Sequence, residues 1–392
     1  MSVVIDIQNL DVVFGAQQQQ ALELIDAGQD RQQIIDQTGA VVGVNNATLQ
    51  VREGEICVLM GLSGSGKSSL LRTVNGLNTV SRGTLQVRDG DQMVDIANCD
   101  EKTMRHMRSS RVSMVFQKFA LMPWLTVLEN VAFGLEMTGV PKKERHRRAM
   151  EKLEMVGLDE WADSKPDELS GGMQQRVGLA RAFAMDTDIL LMDEPFSALD
   201  PLIRAQLQDE LLELQRNLKK TILFVSHDLD EALKIGSHIA IMESAKIIQH
   251  GTPEDIVLNP ADAYVEDFVA HTNPLNVLGG STLMTPVEKL KPAGDRLVLD
   301  KAQGCWISLN GEAIASAGRG AETLSFVRWQ QGDGEKGVFA VATPDISMRD
   351  AINLRYTTRL PVLLEKDGKF CGVLNDANFY YALLGKHFIA DD

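Results

Sequence analysis

The sequence predicts an α/β fold, a parallel sheet with helices on both faces, followed by a smaller α+β domain. Three observations carry this. Between residues 55 and 242, short apolar runs such as ILLM and TILFV alternate with helical stretches. The first such run, EICVLM at 55–60, leads into a glycine-rich loop and then a helical stretch, SSLLRTVNGL. Finally, 392 residues exceed the roughly 250–300 at which a single core stops growing, so two domains are expected.

The elements follow in order. Residues 3–14 alternate and predict a strand; residues 41–60 predict two more, separated by a turn at Glu53 and Gly54. Between them, residues 16–40 form a helical insertion: Leu22 and Ile25, then Ile34 and Ile35, are spaced as on short helices, with a break at Gly28. A helical subdomain is expected over about 118–180. After the last helical stretch, two prolines and a Gly pair place the domain boundary near Gly279, giving domains 1–278 and 279–392.

Composition narrows the function classes. Apolar residues make up 44% and charged residues 24%, as in ordinary globular proteins, and no window approaches the roughly 18–20 apolar residues of a membrane span. The first fifteen residues lack a basic stretch followed by an apolar one, so no signal peptide is expected and the cytosol is the expected compartment. Cys57, Cys99, Cys305 and Cys371 lie far apart, which indicates neither a disulfide framework nor a zinc site. Net charge is −15, with −14 in residues 1–278 and −1 in 279–392. Nucleic acid and anionic lipid both select cations, so no nucleic-acid partner and no direct lipid binding are expected.

GLSGSGKS at 61–68 matches the GxxxxGK[ST] pattern and sits between strand and helix, as that chemistry requires. Gly61, Gly64 and Gly66 let backbone amides turn toward phosphate, with Ser63, Ser65 and Ser69 beside them. Lys67 reaches the β/γ oxygens, and Ser68 offers a hydroxyl to Mg²⁺. ILLMDEP at 189–195 is a buried-strand pattern ending in two carboxylates. Asp193 is then the Mg²⁺ ligand, and Glu194 is placed to polarise the attacking water. LSGGMQQR at 169–176 opens a helix, and Ser170 with Gly171 and Gly172 makes a second anion site at its start.

These motifs in this order resemble the ABC ATPase family, whose signature LSGGQ has Met173 here in place of Gln. The resemblance implies ATP as substrate and Mg²⁺ as cofactor, with Ser170 and Gly172 facing the γ-phosphate held by another copy in a head-to-tail homodimer. It further implies that Gln117 touches Mg²⁺ and the attacking water, that Asp200 in SALD lies on a loop between the copies, that His227 contacts the γ-phosphate and that Phe14 stacks on adenine.

A finer resemblance, to the ATPase subunits of glycine betaine, proline betaine and choline importers, rests on MGLSGSGKSSLLRTVNGL, FQKFALMPWLTVLENVAFG, DELSGGMQQRVGLARA, MDEPFSALDPLIR and FVSHDLDEALKIG. It implies an ATP-hydrolysing importer subunit bound to the cytoplasmic side of the inner membrane through a separate permease, which works with an extracytoplasmic binding protein. The divergent tail looks most like the choline branch. Phe119 and Trp124 are candidates for permease contact, whereas Leu125 and Val127 are expected inside the helical subdomain. The competing class is a soluble ABC ATPase uncoupled from transport, whose repair, chromosome and ribosomal members carry zinc modules, long coiled coils or a second cassette, none of which is seen here.

Residues 280–392 resemble a pair of CBS-like halves, as a regulatory or dimerising domain. Where nucleotide-binding modules have Ser or Thr and then Asp after a Gly, this chain has Asn375 and Asn378 after Gly372. Adenine-nucleotide binding by the tail is therefore not expected.

Overall fold

The computed structural model describes residues 2–383, apart from 118–119, 198, 271–272, 274, 276, 331 and 333. It divides into two compact units, Met1–Thr252 and Pro253–Asp392.

The first unit opens with β1 (Val3–Phe14), the insertion helices α1 (Gln18–Asp26) and α2 (Arg31–Thr38), and β2 (Val41–Arg52). Next come β3 (Ile56–Met60), α3 (Lys67–Val74), β4 (Arg82–Asp89), β5 (Gln92–Asp95), α4 (Glu101–Ser110) and β6 (Val112–Val115). Helices α5 (Val127–Met137), α6 (Lys142–Met155) and α7 (Gly171–Ala184) precede β7 (Ile189–Asp193), α8 (Pro201–Leu218), β8 (Thr221–Val225), α9 (Leu229–Ile235), β9 (His238–Glu243) and β10 (Lys246–Gly251).

Two sheets result, an antiparallel one of order β2-β1-β4-β5 and a six-stranded one of order β10-β9-β3-β8-β7-β6. In the second, only the β10–β9 pairing is antiparallel. Strands β3, β7 and β8 are buried at every position, which is why their sequences read as unbroken apolar runs. The main core joins both sheets and one face of α3: Ile5, Ile7 and Leu49 meet Leu59, Leu191 and Leu223 with Leu70, Leu71 and Val74. A separate core, including Val127, Val131, Leu135, Leu153 and Val177, holds α5, α6 and α7 together.

The insertion has its own anchorage. Ala21, Leu22 and Ile34 pack with Val13, Ala40, Val42 and Ala245. Arg82 binds Asp11 through Nε at 2.7 Å and Asp26, the last residue of α1, through Nη1 at 2.8 Å.

The second unit contains α10 (Pro253–Leu258), α11 (Ala263–Val269), α12 (Gly280–Leu283), β11 (Thr285–Pro286), β12 (Pro292–Ala293), β13 (Arg296–Asp300), β14 (Cys305–Asn310), β15 (Ala313–Arg319), β16 (Glu322–Leu324) and β17 (Phe326–Arg328). It ends with β18 (Phe339–Ala342), α13 (Met348–Thr358), β19 (Val362–Lys366), β20 (Lys369–Leu374) and α14 (Asp376–Leu383). Its division from the first unit falls before Pro253, earlier than the expected Gly279, because Leu258, Leu275, Val277 and Leu278 pack into this unit's core. A mixed sheet of order β11-β20-β19-β18-β17 turns Ala340, Ala342, Val362 and Leu364 toward α13 and α14. The alternate residues Phe339, Val341 and Leu363 face an antiparallel sheet of order β12-β13-β14-β15-β16.

The two expected halves of the tail are unlike. Residues 292–324 form that antiparallel sheet, its strands turning at positive-φ Gly294, Gly304, Gly311 and Gly320, with no helix of their own among the described residues. The later half runs helix, hairpin, helix, with Asp367 and Gly368 at the hairpin turn.

Candidate active site

Parallel strands carry their loops to one edge of the sheet, and the candidate residues follow the carboxyl ends of β3, β6, β7 and β8. The glycine loop after β3 bends as only glycine allows. Gly61, Gly64 and Gly66 have φ of 141°, 79° and 103°; a Cβ on Gly61 would strike the Met242 carbonyl, and one on Gly66 the Gly43 carbonyl. The loop has no room for side chains at these two positions, so its inner wall is peptide backbone, the lining an anion needs.

Lys67 is only 6% exposed and donates to the carbonyls of Gly61 at 2.7 Å and Leu62 at 2.9 Å. Burial lowers its pKa, against the opposing pull of Glu194 and Asp193. A buried cation held by two neutral carbonyls is poised to exchange them for a polyanion.

Ser68 donates to Asp193 Oδ1 at 2.6 Å, and Asp193 is fully buried. Its other oxygen, Oδ2, accepts from Arg72 Nε at 3.1 Å and Nη2 at 2.8 Å. Sequence reasoning missed Arg72. The available signal was its position four residues after Ser68, on the same face of α3.

Glu194 follows β7 with φ 47°, in the left-handed region, its N–H donating to the Val225 carbonyl of β8 at 3.1 Å. This bend turns the side chain toward two expected residues: Gln117 Nε2 donates to Glu194 Oε2 at 3.1 Å, and His227 Nδ1 lies 3.4 Å from the same oxygen. Residues from four strand ends, Lys67 and Ser68, Gln117, Asp193 and Glu194, and His227, thus gather at one edge. Phe14 reaches the loop region from the other sheet. A Cβ on Gly43 would collide with its ring and lie 3.2 Å from Ser69 Oγ, so a ring 39% exposed stands beside α3. Ser63 and Gly64 are exposed at the loop tip, and Ser65 is buried.

Other expected residues lie outside this gathering. Ser170 caps α7, accepting from the Met173 N–H at 3.3 Å, and a Cβ on Gly172 would lie 3.1 Å from Leu199. Gly171 is exposed with open space around it. Asp200 caps α8 by accepting from the Ile203 N–H at 3.1 Å. Trp124 is 70% exposed and Val127 fully buried, while Phe119 lies outside the described residues. In the second unit Asn378 is 1% exposed, its amide donating to the Leu283 carbonyl at 2.7 Å and to Thr285 Oγ1 at 3.2 Å. That amide is spent on the fold.

The family model described as ABC transporter matches residues 44–197. The glycine betaine transport ATP-binding protein OpuAA of Bacillus subtilis is 44% identical over 355 residues, covering 90% of this chain and 82% of that protein. The glycine betaine/carnitine transport ATP-binding protein GbuA of Listeria monocytogenes is 39% identical over 394 residues, 97% of this chain and 98% of its own. The glycine betaine/proline betaine transport system ATP-binding protein ProV of Escherichia coli is 52% identical over 268 residues, 68% of this chain and 66% of its own. Among solved structures, the dimeric bacterial ABC transporter cassette MJ0796 aligns at TM-score 0.54 with 29% identity, covering 64% of this chain and 98% of its own. The same cassette in a post-hydrolysis state bound to ADP and phosphate aligns equally well, with TM-score 0.54.

Proposed function

The chain belongs to the ABC transporter ATP-binding proteins, in the group of the quaternary-amine importers, and from that premise we propose that it hydrolyses ATP to drive uptake of a small quaternary ammonium solute through a separate permease. The observation that carries the catalytic half is the meeting of Gln117, Glu194 and His227 beside the Ser68–Asp193 pair, with Glu194 Oε2 3.1 Å from Gln117 Nε2 and 3.4 Å from His227 Nδ1.

Each group has a definite task in this reading. Lys67 and the amides of the 61–68 loop hold the β- and γ-phosphates, and the Phe14 ring offers a face to adenine. Ser68, Asp193 and Gln117 present hydroxyl, carboxylate and amide oxygens, the hard donor set that fits Mg²⁺, which supplies charge neutralisation at the phosphates. Glu194 accepts the proton of the attacking water, and Gln117 and His227 fix its carboxylate. The head-to-tail arrangement of two copies places Ser170, Gly171 and Gly172 of one over the loop of the other, with Asp200 between them. Closing and reopening of that pair moves the permease.

The first unit, with its insertion and helical subdomain, is the motor. The second serves regulation or dimerisation without holding an adenine nucleotide, since the Asn378 amide already bonds Leu283 and Thr285. No helix among the described residues is long and apolar enough to cross a membrane. In this reading, association with the inner membrane runs through the permease, with Trp124 a contact, and an extracytoplasmic binding protein delivers the solute. Reconstitution with permease and binding protein in vesicles tests this directly. ATP-dependent accumulation of glycine betaine, proline betaine, carnitine or choline is the expected result; ATPase activity that neither couples to uptake nor fractionates with membranes would establish the soluble class instead.

A further inference from the structure

The insertion of α1 and α2 has no task in the mechanism above, yet it reaches the phosphate loop. Asp30 and Gln33 form a reciprocal cap, Asp30 Oδ1 accepting from the Gln33 N–H at 2.9 Å and Gln33 Oε1 from the Asp30 N–H at 3.0 Å, which fixes the start of α2. Arg31 is the first residue of that helix, and its Nη1 donates to the Gly64 carbonyl at 2.6 Å. Its Nε is buried without a partner, and among the described residues no carboxylate pairs with its guanidinium. An arginine in this condition leaves its positive charge available at the rim of the loop.

We propose that Arg31 is a positioning residue for nucleotide binding, and that the insertion exists to hold it against the phosphate loop. The argument turns on one peptide plane. The Gly64 carbonyl and the Ser65 N–H belong to the same trans peptide and point in opposite directions. Drawing the carbonyl outward to Arg31 therefore aims the Ser65 N–H into the loop, where it now meets the Leu62 carbonyl at 3.2 Å. That contact is long for an N–H···O bond, and a phosphate oxygen outcompetes a neutral carbonyl for the donor. The next peptide is held from the other side: Ala245, part of the insertion's own core, donates to the Ser65 carbonyl at 3.1 Å. The insertion thus grips Gly64 through Arg31, and the β9–β10 turn that packs against the insertion holds Ser65 through Ala245. Preorganising donors before the ligand arrives raises affinity.

This inference rests on the proposal that the loop binds ATP. It is tested with the full chain, by titration calorimetry with MgATP and MgADP and by steady-state hydrolysis. Arg31→Met keeps the apolar stem and removes the donors; it should weaken ATP and ADP alike by roughly tenfold, the scale of a lost hydrogen bond to a charged group. Equal loss is expected because the backbone donors of such loops serve the α/β-phosphates, which both nucleotides carry. KM should rise by more than kcat falls, the melting midpoint without nucleotide should stay at the wild-type value, and Arg31→Lys should recover most of the affinity. Wild-type affinity in Arg31→Met would overturn the inference, as would equal loss in the Met and Lys variants, or a loss confined to ATP. A wild-type chain that binds neither nucleotide would overturn the proposed function as well, which separates the two failures.

Discussion

Replacing Glu194 with Gln tests the proposed proton-accepting step separately from the other tasks proposed for the site. Gln has the same length and tolerates the left-handed φ of 47° no better or worse than Glu, so the backbone penalty of roughly 1–2 kcal/mol is common to both. The Gln117 amide, 3.1 Å from Oε2, still finds an acceptor in the new side-chain carbonyl. What disappears is the negative charge and the basic lone pair. General-base assistance contributes about 10²–10⁴ in rate, which corresponds to about 2.7–5.4 kcal/mol of barrier. Phosphate release at saturating MgATP should fall by that factor, while calorimetric ATP affinity should not weaken by more than about threefold, since the substitution removes a negative charge and no donor to phosphate. With hydrolysis blocked, ATP should also hold two copies together, visible by light scattering. A Glu194→Gln chain with kcat within about threefold of wild type would refute the assignment of the base.

Two further predictions address stability. Glu231 is 7% exposed, and desolvation raises its pKa despite hydrogen bonds from Ser226 at 2.5 Å and Gln208 at 2.9 Å. For an acid whose folded pKa lies above its unfolded one, stability is highest below the ordinary value of 4.5 and declines as pH rises from there through the folded value. Glu231→Gln should flatten that decline in urea unfolding measured across the interval; an unchanged slope would refute the burial argument. In the second unit, Asn378→Ala leaves the Leu283 carbonyl buried without its donor and should destabilise that unit by about 1–3 kcal/mol in chemical denaturation, without changing nucleotide affinity. A variant as stable as wild type would show that the amide does not hold the fold.

Much of the site was legible because its chemistry is local in sequence. The 61–68 loop must follow a buried strand and precede a helix, and all three features are contiguous; the acid pair at 193–194 likewise ends an apolar run. Strand ends in a parallel sheet converge, so naming residues after four such strands amounted to naming one site. The insertion helices were legible from spacing, but their purpose was not. Nothing in RQQIID says that Arg31 meets Gly64, because that contact depends on how the Ala21, Leu22 and Ile34 core seats α2.

The early half of the tail shows the opposite case. An expected repeat of the later half becomes an antiparallel sheet, with positive-φ glycines turning the chain before CWISLN, between it and AIASAGR, and after AIASAGR. The unit boundary shifted for a related reason: Leu258, Leu275, Val277 and Leu278 carry no mark of which core they will join.

By itself, the sequence named the candidate residues and the elements that present them, because glycine torsions, buried strands and helix caps are properties of short segments. Only the tertiary structure decided how those residues are partnered: Arg72 on Asp193, Gln117 and His227 on Glu194, Arg31 on Gly64. Such pairings join segments far apart in the chain, and they are selected by whichever buried faces pack together, a choice that no local pattern encodes.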